Sequence, residues 1–124
     1  MDWTCLDGYN WDSPWTTFDQ LYSSTYTKLT GSVAPSKPVV IGEQASTEKG
    51  GSKSSWITDM LTSIPQKYPK VKAVLWFEKF DSGMDWPIET SSSATAAFAA
   101  GIASSSYAPN QFGSLGGGPI QPIS

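Results

Sequence analysis

Three features of the sequence predict an α/β fold built on a parallel sheet. First, three short segments rich in apolar and β-branched residues alternate with three segments of helical periodicity, in the order strand–helix repeated three times. Second, Val39, Val40 and Ile41 are consecutive β-branched residues, which suits a strand buried on both faces, as in a parallel sheet. Third, each strand opens on a polar loop carrying carboxylates, joined by aromatics in the first and third, and that end of the strands is where parallel barrels place their chemistry. The alternation calls for right-handed crossovers between parallel strands.

The elements follow in order. Residues 3–7 form the first expected strand, opening on the loop Gly8-Tyr9-Asn10-Trp11-Asp12-Ser13-Pro14-Trp15. A helix over residues 16–29 has Thr16 or Thr17 as its cap and Phe18, Leu21, Tyr22 and Leu29 on its apolar side. Pro38 starts the second strand, residues 39–42, where its missing N–H does least harm, and Gly42 turns the chain so that Glu43 emerges at the strand end. A carboxylate there is expensive to desolvate and is expected to face a polar cleft. The second helix, residues 53–64, carries Trp56, Ile57, Met60, Leu61 and Ile64 at helical spacing and is expected to stop at Pro65. The third strand spans residues 71–77, and an alanine-rich helix follows over residues 93–103. Residues 1–104 form one domain; residues 105–124 are rich in Ser, Gly and Pro and read as a linker or disordered tail.

Composition excludes several chemistries. The chain has 124 residues, a net charge of −3 and no histidine, so neither Ser-His-Asp nor Cys-His catalysis is possible within it, nor imidazole-ligated zinc. All 8 basic residues are lysines; with no arginine fork and no basic stripe, nucleic acid is not an expected partner. The single cysteine, Cys5, permits no internal disulfide and is expected as a buried thiol. Residues 1–3 show neither a basic region nor an apolar run, so no signal peptide is expected, and no stretch is long enough to span a membrane. Six Trp, five Tyr and five Phe suit a large core, a stacking surface for sugars, or both.

The ordered set of segments resembles the C-terminal portion of a glycoside hydrolase of the family 26 type, a class that includes β-mannanases. The resemblance rests on Asp2-Trp3-Thr4-Cys5-Leu6-Asp7-Gly8-Tyr9-Asn10-Trp11, on Lys37-Pro38-Val39-Val40-Ile41-Gly42-Glu43, on Ser46-Thr47-Glu48-Lys49-Gly50-Gly51, on Trp56-Ile57-Thr58-Asp59-Met60-Leu61, and on Val71-Lys72-Ala73-Val74-Leu75-Trp76-Phe77. It implies a partial (β/α)₈ barrel: strands six to eight with their helices, three units of eight, with two unpaired sheet edges. It implies a retaining, endo-acting enzyme on a β-linked polysaccharide, with mannan first and glucan or xylan behind it. By the same resemblance Glu43 is the nucleophile, Tyr9 its hydrogen-bonding partner and Trp76 the floor of the subsite at the cleaved bond. No cofactor or metal is implied, and the parent protein is expected to be extracellular.

The chain departs from that family in having no counterpart of the strand-four acid/base glutamate, although a retaining mechanism uses two carboxylates about 5–5.5 Å apart. Glu78 and Glu48 are the other glutamates near the expected rim; each reads as a solvated loop charge or as a substitute acid. Trp11 and Trp86 lie in polar loops, where exposed aromatics would make distal sugar subsites. Asp7 reads as support for Tyr9 or for the loop backbone. Gly50-Gly51 lacks the rest of a phosphate-loop pattern. A non-catalytic carbohydrate-binding or remnant domain is the alternative. The open edges also allow a separate N-terminal half-barrel, or a second copy, as partner.

Overall fold

The structure, a computed structural model, describes residues 1–108. Three strands, β1 (Thr4–Asn10), β2 (Val39–Ser46) and β3 (Val71–Trp76), form one parallel sheet in the order β1-β2-β3. The helices are α1 (Phe18–Lys28), α2 (Lys53–Lys67) and α3 (Ser92–Ile102). A π-helical turn, Leu29–Val33, extends α1, and a 3₁₀ turn, Ile88–Thr90, precedes α3. The α/β class and the parallel order follow the sequence reading. No helix among the described residues is long and apolar enough to cross a membrane.

One face of the sheet is covered. Leu6, Val39, Ile41 and Val71 are buried against Phe18, Tyr22 and Tyr26 of α1 and Trp56, Ile57, Met60, Leu61 and Ile64 of α2. Aromatic rings bind this layer edge to face: Phe18 meets Tyr68 at 5.3 Å and Trp56 at 5.8 Å. Each helix starts with a hydroxyl cap. Thr17 and Gln20 form a reciprocal capping box on α1, and Ser52 and Ser91 accept from the backbone N–H of Ser55 and Ala94.

The other face is open, which corrects two expectations. The strand of Val39 to Ile41 is covered on one side only, leaving Val40 half-buried, and Cys5 is exposed on that same open side. Leu75 of β3 is 52% exposed there. Strand lengths also differ from the reading: β1 runs on through Tyr9 to Asn10, and β2 continues past Glu43 to Ser46. Glu43 therefore lies within a strand and not at its end.

Pro65 does not stop α2, which continues to Lys67. A proline has no N–H for the carbonyl four residues back, here that of Leu61. The Tyr107 hydroxyl donates to this Leu61 carbonyl at 2.8 Å and takes the place of the missing bond. Tyr107 thus packs on the core from within the segment expected as tail. The remainder of that expected tail, residues 109–124, lies outside the described residues.

Tyr107→Phe should cost about 1–2 kcal/mol by orphaning a half-buried carbonyl. In a Pro65→Ala background, where the backbone N–H returns, the same change should cost less. Urea denaturation of the four proteins in this cycle measures the coupling, and equal costs in both backgrounds would refute the substitution of one donor for the other.

Asp19 of α1 accepts from the Tyr68 hydroxyl and from Lys67 Nζ, both at 2.6 Å. The Lys67 bond, then the Tyr68 bond, hold its carboxyl below the ordinary 3.8. The stabilisation is therefore complete above the ordinary carboxylate range and lost as pH falls through the lowered value. The melting temperature of Asp19→Asn should lie below that of the parent chain near neutral pH and converge with it in acid.

Candidate functional site

The C-terminal ends of β1 and β2 converge through a bulge. Register runs Leu6 with Ile41 and then Asp7 with Glu43, so Gly42 is the extra residue. A Cβ on Gly42 would lie 2.6 Å from Cys5 Sγ and 3.2 Å from Asp7 Oδ1, so this position faces the open side of the sheet and admits only glycine at such distance. Glu43 follows on that side and is exposed. Gln44 points the other way, buried, with Nε2 2.8 Å from Met60 Sδ.

Tyr9 lies on the open side of β1, with the Glu43 carboxylate beside its hydroxyl. Burial pushes the Tyr9 phenol up from 10.0 to about 12, with the hydrogen-bonding contact and negative charge of Glu43 next in effect and Asp7 and Asp81 adding to it. The phenol therefore remains protonated and able to donate to a carboxylate throughout the neutral range.

Aromatic rings surround Tyr9. Its centroid is 5.2 Å from Trp86, 5.7 Å from Phe77 and 6.3 Å from Trp11, and Trp11 meets Trp86 edge to face at 4.8 Å. Trp11 is 42% exposed and offers the free aromatic surface of the cluster. Trp86, expected as an exposed loop aromatic, is 2% exposed; its ring is a backing for Tyr9 and Trp11. Phe77 was not singled out in the sequence, although strict alternation from exposed Leu75 puts it on the same side as Tyr9.

Trp76 is brought elsewhere. Its ring packs with Trp56 at 6.0 Å and Phe98 at 6.4 Å, in the layer covered by α2 and α3, and it lines an apolar groove of about 620 Å³ with Met60, Ile64, Val74 and Phe98. This places the ring among helix residues and not with the Tyr9 group. Its indole N–H donates to the Trp86 carbonyl at 2.9 Å.

The loops that carry these rings are tied together. Buried Asn10 donates to Ser46 Oγ at 3.0 Å and accepts from the Thr16 N–H at 2.7 Å, and Trp56 Nε1 donates to the Thr16 carbonyl. Gly50 has φ +90°, and a side chain there would strike the Asp12 backbone; one on Gly51 would strike the Trp15 ring. The glycine pair is explained by this close approach of two loops.

Of the other carboxylates, Glu48 accepts from the Lys53 N–H at the start of α2 and from the hydroxyl of Ser91, the cap residue of α3. Glu78 accepts from the Ile88 N–H at 2.9 Å. Burial, then the neighbouring Glu89, pushes the Glu78 carboxyl up to about 7. Among the described residues no group of three His, Cys, Asp or Glu is arranged to hold a metal ion.

The chain is similar to a stretch of Endoglucanase H of Acetivibrio thermocellus, being 40% identical over 115 residues. The alignment takes in 88% of this chain and 12% of that protein, so the chain spans about one eighth of the length of the curated relative it matches. No family profile matches the sequence.

The site geometry sets a titration. In Glu43→Gln the Tyr9 phenol should ionise below the parent's value of about 12, with burial, the largest cause, keeping it above the ordinary 10.0. The raised value favours the fold below pH 10 and is lost as pH rises through 10 to 12. Tyrosine ring resonances followed against pH, with Tyr9→Phe for assignment, measure the shift; an unchanged curve would remove Glu43 from the phenol.

Proposed function

We propose that this chain is part of the catalytic domain of a glycoside hydrolase, comprising the last three βα units of a (β/α)₈ barrel of the family 26 type. The observation that carries the reading is the Tyr9 hydroxyl beside the Glu43 carboxylate, on the open side of a parallel sheet and next to the exposed ring of Trp11. In this reading Glu43 attacks the anomeric carbon of a β-linked polysaccharide. Tyr9 orients one carboxylate oxygen and leaves the other for attack. Trp11 receives the flat C–H face of a distal sugar, with Trp86 and Phe77 holding it from behind. The name of the similar protein, Endoglucanase H, favours a β-glucan as substrate ahead of mannan and xylan. Such a substrate implies an extracellular setting.

Retention of configuration needs a second carboxyl as acid and then base, about 5–5.5 Å from the nucleophile. The resemblance assigns that group to a part of the barrel with no counterpart here. A sugar-binding module without turnover is favoured by the same aromatic surface and requires no charge at Glu43.

Calorimetry should detect binding of a β-glucan tetrasaccharide by the 124-residue chain, weakened on the order of tenfold by Trp11→Ala, since stacking of this kind contributes about 0.5–1.5 kcal/mol beyond area burial. Reducing-sugar release from β-glucan should be no greater for the parent chain than for Glu43→Gln. Turnover that Glu43→Gln abolishes would place an acid/base within this chain. Loss of affinity in neither variant would remove the site from carbohydrate recognition.

A further inference from the structure

Residues 85–88, in the segment after β3, are held residue by residue by side chains of the loop after β2, of α2, of Trp76 at the end of β3 and of Glu78 at the start of the segment. Asp85 accepts from the Thr47 hydroxyl, and its two carboxylate oxygens each lie 3.2 Å from the Glu48 N–H. Lys53 Nζ donates to the Asp85 carbonyl, to the Pro87 carbonyl at 2.9 Å and to Thr90 Oγ1 at 2.6 Å. Trp76 Nε1 takes the Trp86 carbonyl between them, and Glu78 accepts from the Ile88 N–H. Four successive residues, 85 to 88, thus have a backbone group fixed from outside the four. A loop that needed only to connect β3 to α3 would satisfy itself with water or its own turns.

Trp86 stands in the middle of this arrangement, and its ring is the one that touches both Tyr9 and Trp11. We propose that Lys53, Trp76 and Glu78 form a clamp on residues 85–88 that positions Trp86 against Tyr9 and Trp11. They are positioning residues: Trp76 holds the Trp86 carbonyl itself, while Lys53 and Glu78 hold the backbone of the residues on either side of it. The consequence for carbohydrate rests on the reading above; the effect on Trp86 and Tyr9 does not.

Trp76→Phe is the most direct test, because it keeps an aromatic ring against Trp56 and Phe98 while removing the indole N–H that holds the Trp86 carbonyl; the volume lost with the smaller ring is controlled by Lys53→Met and Thr90→Val, which leave that ring in place. Two readouts report the clamp without any sugar: hydrogen exchange of the Ile88 backbone amide, which the Glu78 carboxylate holds, and the Tyr9 titration. A loosened segment should exchange this amide at least about tenfold faster, by the local-opening relation between protection and free energy. It should also rehydrate Tyr9, moving its ionisation from about 12 toward 10.0. Lys53→Met and Thr90→Val should move both readouts in the same direction. Affinity for the β-glucan tetrasaccharide should fall in step with them.

A folded Trp76→Phe protein with unchanged Ile88 amide exchange and unchanged Tyr9 titration overturns the clamp. Lys53→Met removes a buried charge; should it not fold, Trp76→Phe and Thr90→Val decide between them. A parent chain that binds no tetrasaccharide would defeat the carbohydrate reading, while the two spectroscopic readouts still decide the clamp.

Discussion

The buried ammonium of Lys53 is the constraint on which the loop end of the molecule depends. The residue is 0% exposed, yet it sits at the N-terminus of α2, where the helix dipole is unfavourable to a cation. Removing such a charge from water costs several kcal/mol unless its protons are all taken. They are taken by two carbonyls and a hydroxyl, with the Asp85 carboxylate 3.9 Å away. Glu48 adds a second anion at the same helix end by accepting from the Lys53 N–H. Burial pulls the Lys53 ammonium down and these carboxylates oppose it. Satisfying one charge therefore brings the loops after β2 and β3 to a common point.

The sheet imposes the second constraint, which is asymmetry. Its covered face holds the aromatic core, while its open face presents Cys5, Val40, Ala73 and Leu75 without a layer over them. Among the described residues both outer strands also keep unpaired backbone edges. An isolated three-stranded parallel sheet with an uncovered apolar face is uncommon, because crossovers normally place helices over both sides. In a closed barrel that face would be the interior, packed by inward side chains, and this is why the partial-barrel proposal accounts for the exposure of Leu75 better than a free-standing domain does.

Much of the fold was legible because it depends on local patterns. Periodicity at Phe18 and Tyr22, the β-branched run at Val39 and hydroxyl residues at helix starts each act within a few positions of themselves. What was not legible depends on partners far along the chain. Pro65 reads as a helix stop until Tyr107 supplies a donor for Leu61. Trp86 reads as an exposed loop aromatic until Lys53 fixes its neighbours. Cys5 reads as core until the sheet proves open on one side. Lys53, with no apolar character to mark it, gave no signal at all. In the candidate site the sequence names Glu43 and Tyr9, which the structure sets side by side, whereas Phe77 stands unnoticed there beside the more conspicuous Trp76.

The placement of Glu43 itself follows from a single residue. Ile41 faces the helices, so strict alternation would turn Gly42 to the open side and Glu43 back into the aromatic core, where an unpaired carboxylate is heavily penalised. The bulge absorbs Gly42 and restarts the register at Asp7 with Glu43. A one-residue slip exchanges the faces of all that follows: Glu43 goes to the open side beside Tyr9, and Gln44 goes inward to Met60. Any side chain at position 42 would crowd Cys5 and Asp7 at the same point. The glycine that reads in the sequence as the end of a strand is thus the device by which the strand continues and still delivers a carboxylate to the side with the tyrosine.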